Sequence, residues 1–282
     1  HPFAEDRVGD APRRPVARPA TEVQFTRHVW EEPTGEPPVV SVFGYTEAPQ
    51  GFAGVNASVT VLRYPDREAF RAALGALAEL PDWAWRTRAA YTVDTAMLAR
   101  AAAFEATLEP VGDVGEFAIR FPDALEPGYY LCEATLVGRT AQAWVQITDV
   151  ASYVAVSDRQ TLAWVNDTAT GRPIAGARLE GGGLDATTGV DGVALVASPP
   201  DLVWDVTMPW GAVQPETVAA LDVTAPDGRE AVVPLADMLR AQREMTYHEF
   251  PPRGPASLYW RYLYTDRALY RLTDTVNGSC RP

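Results

Sequence analysis

The chain has 282 residues, 47% of them hydrophobic, which is too many for a disordered protein and enough for two or three packed domains. Its formal net charge is −13, so phosphate backbones and anionic membranes are repelled, and neither nucleic acid nor direct membrane insertion is expected. All 24 basic residues are Arg, and without Lys there is no P-loop lysine and no amine for Schiff-base chemistry. Residues 1–20 are polar and Pro-rich and read as a flexible mature N-terminal segment, not as a signal peptide. A first strand is expected at Val39–Thr46 and a second at Val55–Tyr64, where Val55, Ala57, Val59 and Val61 alternate with polar residues. Pro65-Asp66 ends that strand and offers an N-cap. Phe70, Leu74, Leu77 and Leu80 then follow at near-helical spacing until Pro81, predicting a helix over 66–80. Being short and not basic, it reads as a helical insertion packed on a sandwich, not as a membrane helix. Trp83, Trp85 and Tyr91 read as core aromatics.

The pattern then becomes strand after strand. Phe104, Ala106 and Leu108 share a face, and after the turn PVGDVG the set Phe117, Ile119 and Phe121 faces the same core, which predicts a hairpin. A second hairpin has Tyr130, Cys132, Ala134 and Leu136 on one face, turns at 137–140, and returns through Ala141, Ala143, Val145 and Ile147. Thr148-Asp149 marks a boundary. Beyond it, YVAVSDRQTLAWVND predicts a hairpin turned near Asp158-Arg159. TGRPIAGARLE leads to a loop at Gly181-Gly182-Gly183, and LDATTGVDGVALVA is a strand-turn-strand unit turned at Val190-Asp191-Gly192. DLVWDVTM reads as a strand and LDVTAPDGREAVVPL as a hairpin turned at Asp227-Gly228. Short strands without a long intervening helix argue for an all-β chain of tandem immunoglobulin-like antiparallel sandwiches. The divisions expected are a first sandwich over 21–149, a second over 150–236, a linker over 237–255, and the start of a third unit over 256–282.

Little here carries chemistry. Cys132 and Cys280 are about 150 residues apart, so neither a disulfide framework nor a thiolate metal site is expected, and Cys132 should be a buried, inert thiol. His1, His28 and His248 have no second His or Cys at ligand spacing, and the prolines of HEFPP forbid a zinc-binding helix. Asp185 and Asp191-Gly192 lack the spacing of a calcium loop and read as solvated turns. Asn56, Asn166 and Asn277 match the glycosylation acceptor pattern, a match short enough to arise by chance. No catalytic residue, no cofactor-binding residue and no metal ligand is expected.

Two segments resemble a known family. NDTATGRPIAGARLEGGGLDATTGVDGVALV, residues 166–196, is similar to a macroglobulin-type β-domain repeat, in which Gly171, Gly176 and Gly192 serve tight turns. WRYLYTDRALYRLTDTV, residues 260–276, resembles the segment YTDRPLYRPGDTV that opens the third domain of the alpha-2-macroglobulin family, its bacterial members above all. Tyr264, Thr265, Asp266, Arg267, Tyr270, Arg271, Asp274, Thr275 and Val276 match. Ala268 and Leu272 stand where that segment has prolines, and Thr273 where it has glycine. Residues 128–149 also resemble the strand pair that precedes the family's second domain. The family's thioester motif, Cys-Gly-Glu-Gln, is absent. After Val276 the family continues with an apolar strand; here the chain reads Asn-Gly-Ser-Cys-Arg-Pro, so either the protein is truncated or its third domain is degenerate.

The resemblance implies macroglobulin-type sandwiches in a non-catalytic scaffold fragment of a bacterial, extracellular, cell-surface or periplasmic protein that entraps proteases. Its partners would be the downstream domains of the same protein and, through the full-length protein, proteases. Tyr264, Asp266, Arg267 and Tyr270 would form a structural or docking cluster at the start of a domain. Two other readings remain: an adhesion or stalk module, which further simple repeats would favour, and the accessory part of a surface hydrolase, which a downstream catalytic domain would reveal.

Overall fold

The structure, a computed structural model, describes residues 21–46, 52, 54–80, 91–111, 115–157, 159–202, 220–235, 264–265 and 278–279. Among the described residues the chain is all-β, in tandem immunoglobulin-like sandwiches with one inserted α-helix. Strands β1 (Thr21–Phe25), β3 (Val39–Thr46), β6 (Glu109–Pro110) and β7 (Glu116–Arg120) form a four-stranded sheet in the order β1-β3-β7-β6. Facing it is a five-stranded sheet in the order β2-β9-β8-β4-β5. Its strands are β2 (Val29–Glu32), β4 (Asn56–Arg63), β5 (Ala99–Thr107), β8 (Gly128–Leu136) and β9 (Arg139–Ile147). Their shared core draws on residues from Phe25 to Ile147, with Val40, Val59, Ile119, Tyr130, Cys132 and Val145 fully enclosed.

The alternation in the sequence reported which face each strand buries better than which strand it joins. Phe104 and Phe121 do meet in the core, ring centroids 5.1 Å apart. They are not partners in a hairpin, however: β5 pairs with β4 and β7 with β3, in opposite sheets. The chain changes sheet at Leu108, leaving only the two-residue β6 against β7. In a sandwich both inner faces bury the same side of their strands, so period-two patterning does not separate a hairpin from a crossover. Two strands outside the expectation, β1 and β2, precede β3, and β2 runs parallel to β9, pairing Val29 with Trp144. The hairpin β8–β9 is as expected but tighter: Leu136 faces Arg139, and Val137 (φ 49) and Gly138 (φ 72) make the two-residue turn.

Cys132 has no exposed surface, and burial pushes its thiol up to about 12. A thiolate-directed reagent should therefore label Cys132 only as the protein unfolds. Parallel urea curves followed by labelling and by fluorescence should coincide; rapid labelling of Cys132 in native conditions would contradict its place in the core.

In the second sandwich, β10 (Val150–Val156), β11 (Gln160–Asp167), β12 (Arg172–Pro173) and β15 (Val193–Ala197) form one sheet. Strands β13 (Arg178–Gly181), β14 (Leu184–Thr187), β16 (Ala220–Thr224) and β17 (Glu230–Pro234) form the other, in the order β14-β13-β16-β17. Its core runs from Val150 to Leu235. The glycine loop at 181–183 is the turn of the β13–β14 hairpin, where Gly181 faces Leu184. The unit over 184–197 does read strand-turn-strand, yet β14 and β15 lie in opposite sheets. Of the strand expected in DLVWDVTM, Asp201 and Leu202 instead belong to a 3-10 turn over Pro200–Leu202 that buries Leu202; the rest lies outside the described residues. Asp185 is held by Arg178 at 3.1 Å, and Asp191 accepts from the Val193 N–H at 3.1 Å, so both are occupied within turns and hairpins.

Asp167, at the end of β11, ties the two sheets through Arg229, 2.7 Å away. Burial works to raise its carboxyl, but the Thr170 N–H and the Arg229 guanidinium outweigh it and hold it below the usual range. A carboxyl lowered by folding adds stability that is complete above its unfolded value, 3.8, and is lost as pH falls through the lower folded value. Asp167→Asn is expected to cost about 1–3 kcal/mol at neutral pH, and urea midpoints of the variant and the parent should converge as the pH is lowered past 3.8.

Strands β18 (Tyr264–Thr265) and β19 (Gly278–Ser279) pair antiparallel. No described helix is long and apolar enough to cross a membrane.

Candidate functional site: the joint between the sandwiches

The outer face of the five-stranded sheet carries an apolar patch of its own. Leu62, Tyr64, Leu131 and Trp144 are buried there, as they would be only if something covered them. The first cover is α1 (Arg67–Ala78), whose N-cap Asp66 accepts from the Ala69 N–H at 2.8 Å. The helix lays Phe70, Leu74 and Leu77 on the sheet, and Phe70 sits between the rings of Tyr64 and Tyr129 at 5.5 and 4.9 Å. Burial raises the phenol of Tyr64 above its ordinary value, and that of Tyr129 likewise. Tyr91 stacks on Trp144, rings 6.5 Å apart and 14° from parallel. Trp83 and Trp85 lie outside the described residues.

The second cover is the other sandwich. Ala220 and Val232 join the same cluster. Beside them Arg71 Nη1 meets Asp222 Oδ2 at 2.6 Å, and Arg67 Nη1 reaches Glu230 Oε1 at 3.2 Å and Thr224 Oγ1 at 3.1 Å. Arg67 and Arg71 stand four residues apart, so both leave the same side of the helix. Glu230 is more than a third exposed, so its pair with Arg67 orients more than it stabilises; Asp222 is 14% exposed and the firmer anchor.

The outward row of β9 completes the joint. Gln142, Trp144 and Gln146 alternate with the core set along β9, and Thr148 continues the row. Gln142 accepts from the Val93 N–H at 2.6 Å through its amide oxygen. Gln146, fully buried, donates to the Val232 carbonyl at 2.7 Å and accepts from the Val232 N–H at 2.9 Å. Its amide also donates to Glu31 Oε1 at 3.0 Å. Thr148 Oγ1 donates to the Glu230 carbonyl at 2.9 Å. The connector is two residues long, Thr148 and Asp149. The Asp149 carboxylate accepts from the Thr34 N–H at 3.0 Å, from the Thr34 hydroxyl, and from Thr168 Oγ1 at 3.4 Å, so it holds loops of both sandwiches.

Such an arrangement positions one sandwich against the other. Among the described residues no group of three His, Cys, Asp or Glu side chains could hold a metal ion. Of the cluster expected near the end of the chain, Tyr264 lies in β18, where it faces Ser279 across the ladder, while Asp266, Arg267 and Tyr270 lie outside the described residues. Of the joint residues, Thr148 and Asp149 were read from the sequence as a boundary and not as contacts, and Arg67, Arg71 and Gln146 were not singled out. The available signal was Trp144, Leu62 and Leu131 on strand positions facing away from the core.

No protein-family model matches the chain, and no curated protein matches it. Solved structures with a similar chain path include native alpha-2-macroglobulin from Escherichia coli spanning domains MG0-NIE-MG1. There the TM-score is 0.46 and the identity 14%, over 77% of this chain and 64% of that one. A second, the same protein spanning domains NIE-MG1, gives a TM-score of 0.44 at 13% identity, over 76% of this chain and 97% of that one. A third, Salmonella alpha-2-macroglobulin reacted with methylamine, gives 0.43 at 10% identity, over 76% of this chain and 12% of that one. This chain thus spans less than two thirds of the first of these and a small part of the third, and the similarity to bacterial macroglobulin domains is one of backbone arrangement at low identity.

Proposed function

We propose that the chain is a non-catalytic scaffold: it fixes the relative placement of sandwich modules in a bacterial alpha-2-macroglobulin-like, protease-entrapping protein that works outside the cytoplasm, at the surface or in the periplasm. The observation that carries the scaffold is the joint, in which a buried amide, an ion-pair latch and a two-residue connector set one sandwich against the other. The sequence of residues 260–276 supports the placement in that family, with Tyr264, Asp266, Arg267 and Tyr270 fixing strand register at the next module. Proteases would be partners of the whole protein, and downstream modules the direct partners of this chain.

Entrapment needs a cleavable segment and a collapse onto the attacker, and two packed sandwiches supply neither. The purified chain, incubated with trypsin or elastase, should leave cleavage of a large protein substrate and of a small peptide substrate equally unimpaired. A chain that blocked the first and spared the second would be a trap by itself and would overturn the scaffold reading.

A further inference from the structure

We propose that the joint is a strand-edge lock: Gln146 and Thr148 stand in for a neighbouring strand along β17, so that the two sandwiches move as one body and β17 is withheld from pairing with a second copy of the chain. The inference is independent of any role in entrapment.

Among the described residues β17 is the last strand of its sheet, bonded on one side to β16. Backbone groups alternate in direction along a strand, and Val232, whose N–H and carbonyl both reach Gln146, shows that the even-numbered residues of β17 point away from β16. An edge of this kind is a template for another strand unless it is covered or disabled. Here it is both. At Pro234 there is no N–H to offer. At Val232 the Gln146 side-chain amide presents the donor and acceptor that a peptide group of a paired strand would present. At Glu230 the Thr148 hydroxyl takes the carbonyl.

The same contacts exclude a free hinge. Opening the joint would strip the buried Val232 N–H and carbonyl of their partners, uncover Ala220, Val232 and Trp144, and separate Arg71 from Asp222 in one step. The side chain of Asp149 accepts from Thr34 of the first sandwich and Thr168 of the second, which ties the connector to both.

The test uses the full chain with Cys280→Ser and spin labels at Met97→Cys and Val190→Cys, which are 90% and 91% exposed on the first and second sandwich. Buried Cys132 stays unlabelled. Pulsed dipolar spectroscopy should give one narrow distance in the parent and a distribution at least twofold broader in Q146L/T148V. Light scattering should show dimers in that variant and monomers in the parent. A broad distribution in the parent, or a variant that stays narrow, overturns the lock; broadening without dimers overturns the withholding of β17. Should Q146L/T148V fail to fold, R67A/R71A, which releases the latch from the helix side without emptying the core, decides the lock by whether its distance broadens.

Discussion

Gly192→Ala is expected to destabilise the second sandwich by about 2–5 kcal/mol. Gly192 has φ +71, a left-handed conformation that costs any residue with a Cβ about 1–2 kcal/mol. A Cβ there would also lie 2.5 Å from the Val165 carbonyl oxygen and 2.7 Å from Pro173 Cβ. Neither neighbour can yield cheaply, because one is backbone of β11, bonded on both sides, and the other is a proline paired to that strand. The residue is held at both ends as well: its N–H donates to the Gly189 carbonyl at 3.0 Å, and its own carbonyl accepts from the Val165 N–H at 2.9 Å. Gly228 supplies the control. Its φ is +86, but nothing lies within 4 Å of the added carbon, so Gly228→Ala should show the conformational cost alone, about 1–2 kcal/mol. Urea unfolding of the two variants separates the effects; equal losses would mean that β11 and Pro173 give way freely.

Phe70→Ala is expected to cost about 3–5 kcal/mol, the range for removing a fully buried aromatic. Phe70 is 0% exposed and is the residue of α1 clasped between the rings of Tyr64 and Tyr129. The helix is only 12 residues long, too short to persist without its packed face. Its loss would also release Arg67 and Arg71 from Asp222, so both sandwiches should respond. In the parent they should melt in one transition by calorimetry, and in Phe70→Ala the second sandwich should melt apart from the first. A variant that lost stability and kept a single transition would mean that the helix is not what couples them.

The inner faces were legible in the sequence because one sheet side was apolar and the other polar over most of their length. Val39–Thr46 appears at the expected residues, the helix starts after Asp66 as its cap requires, and Cys132 lies in the set that named it. Pairing was less legible. Phe104 and Phe117 belong to strands that face each other across the core, and alternation is the same for strands that are opposed and strands that are joined. β2 was missed because Val29-Trp30-Glu31-Glu32 is short and carries two carboxylates, which its parallel partner β9 accommodates at a sheet edge. The joint was illegible for another reason. Gln146 and Thr148 are polar residues at alternate strand positions, which is what a solvent-facing row looks like. Only the register of β17, 86 residues away from Gln146, turns them into contacts between sandwiches.

That separation has a consequence for synthesis. Gln146 leaves the ribosome 86 residues before Val232, a delay of roughly 4–17 s at about 5–20 residues per second. The first sandwich has everything its inner core needs by then, and α1 to shield part of its outer face. The part of that face that Ala220 and Val232 cover, and the hydrogen bonds of Gln146 that Val232 completes, must nonetheless wait for the second sandwich. The nascent chain therefore passes through an interval in which a finished sandwich still displays a greasy flank, and the time that flank stays bare is set by translation speed between codons 146 and 234.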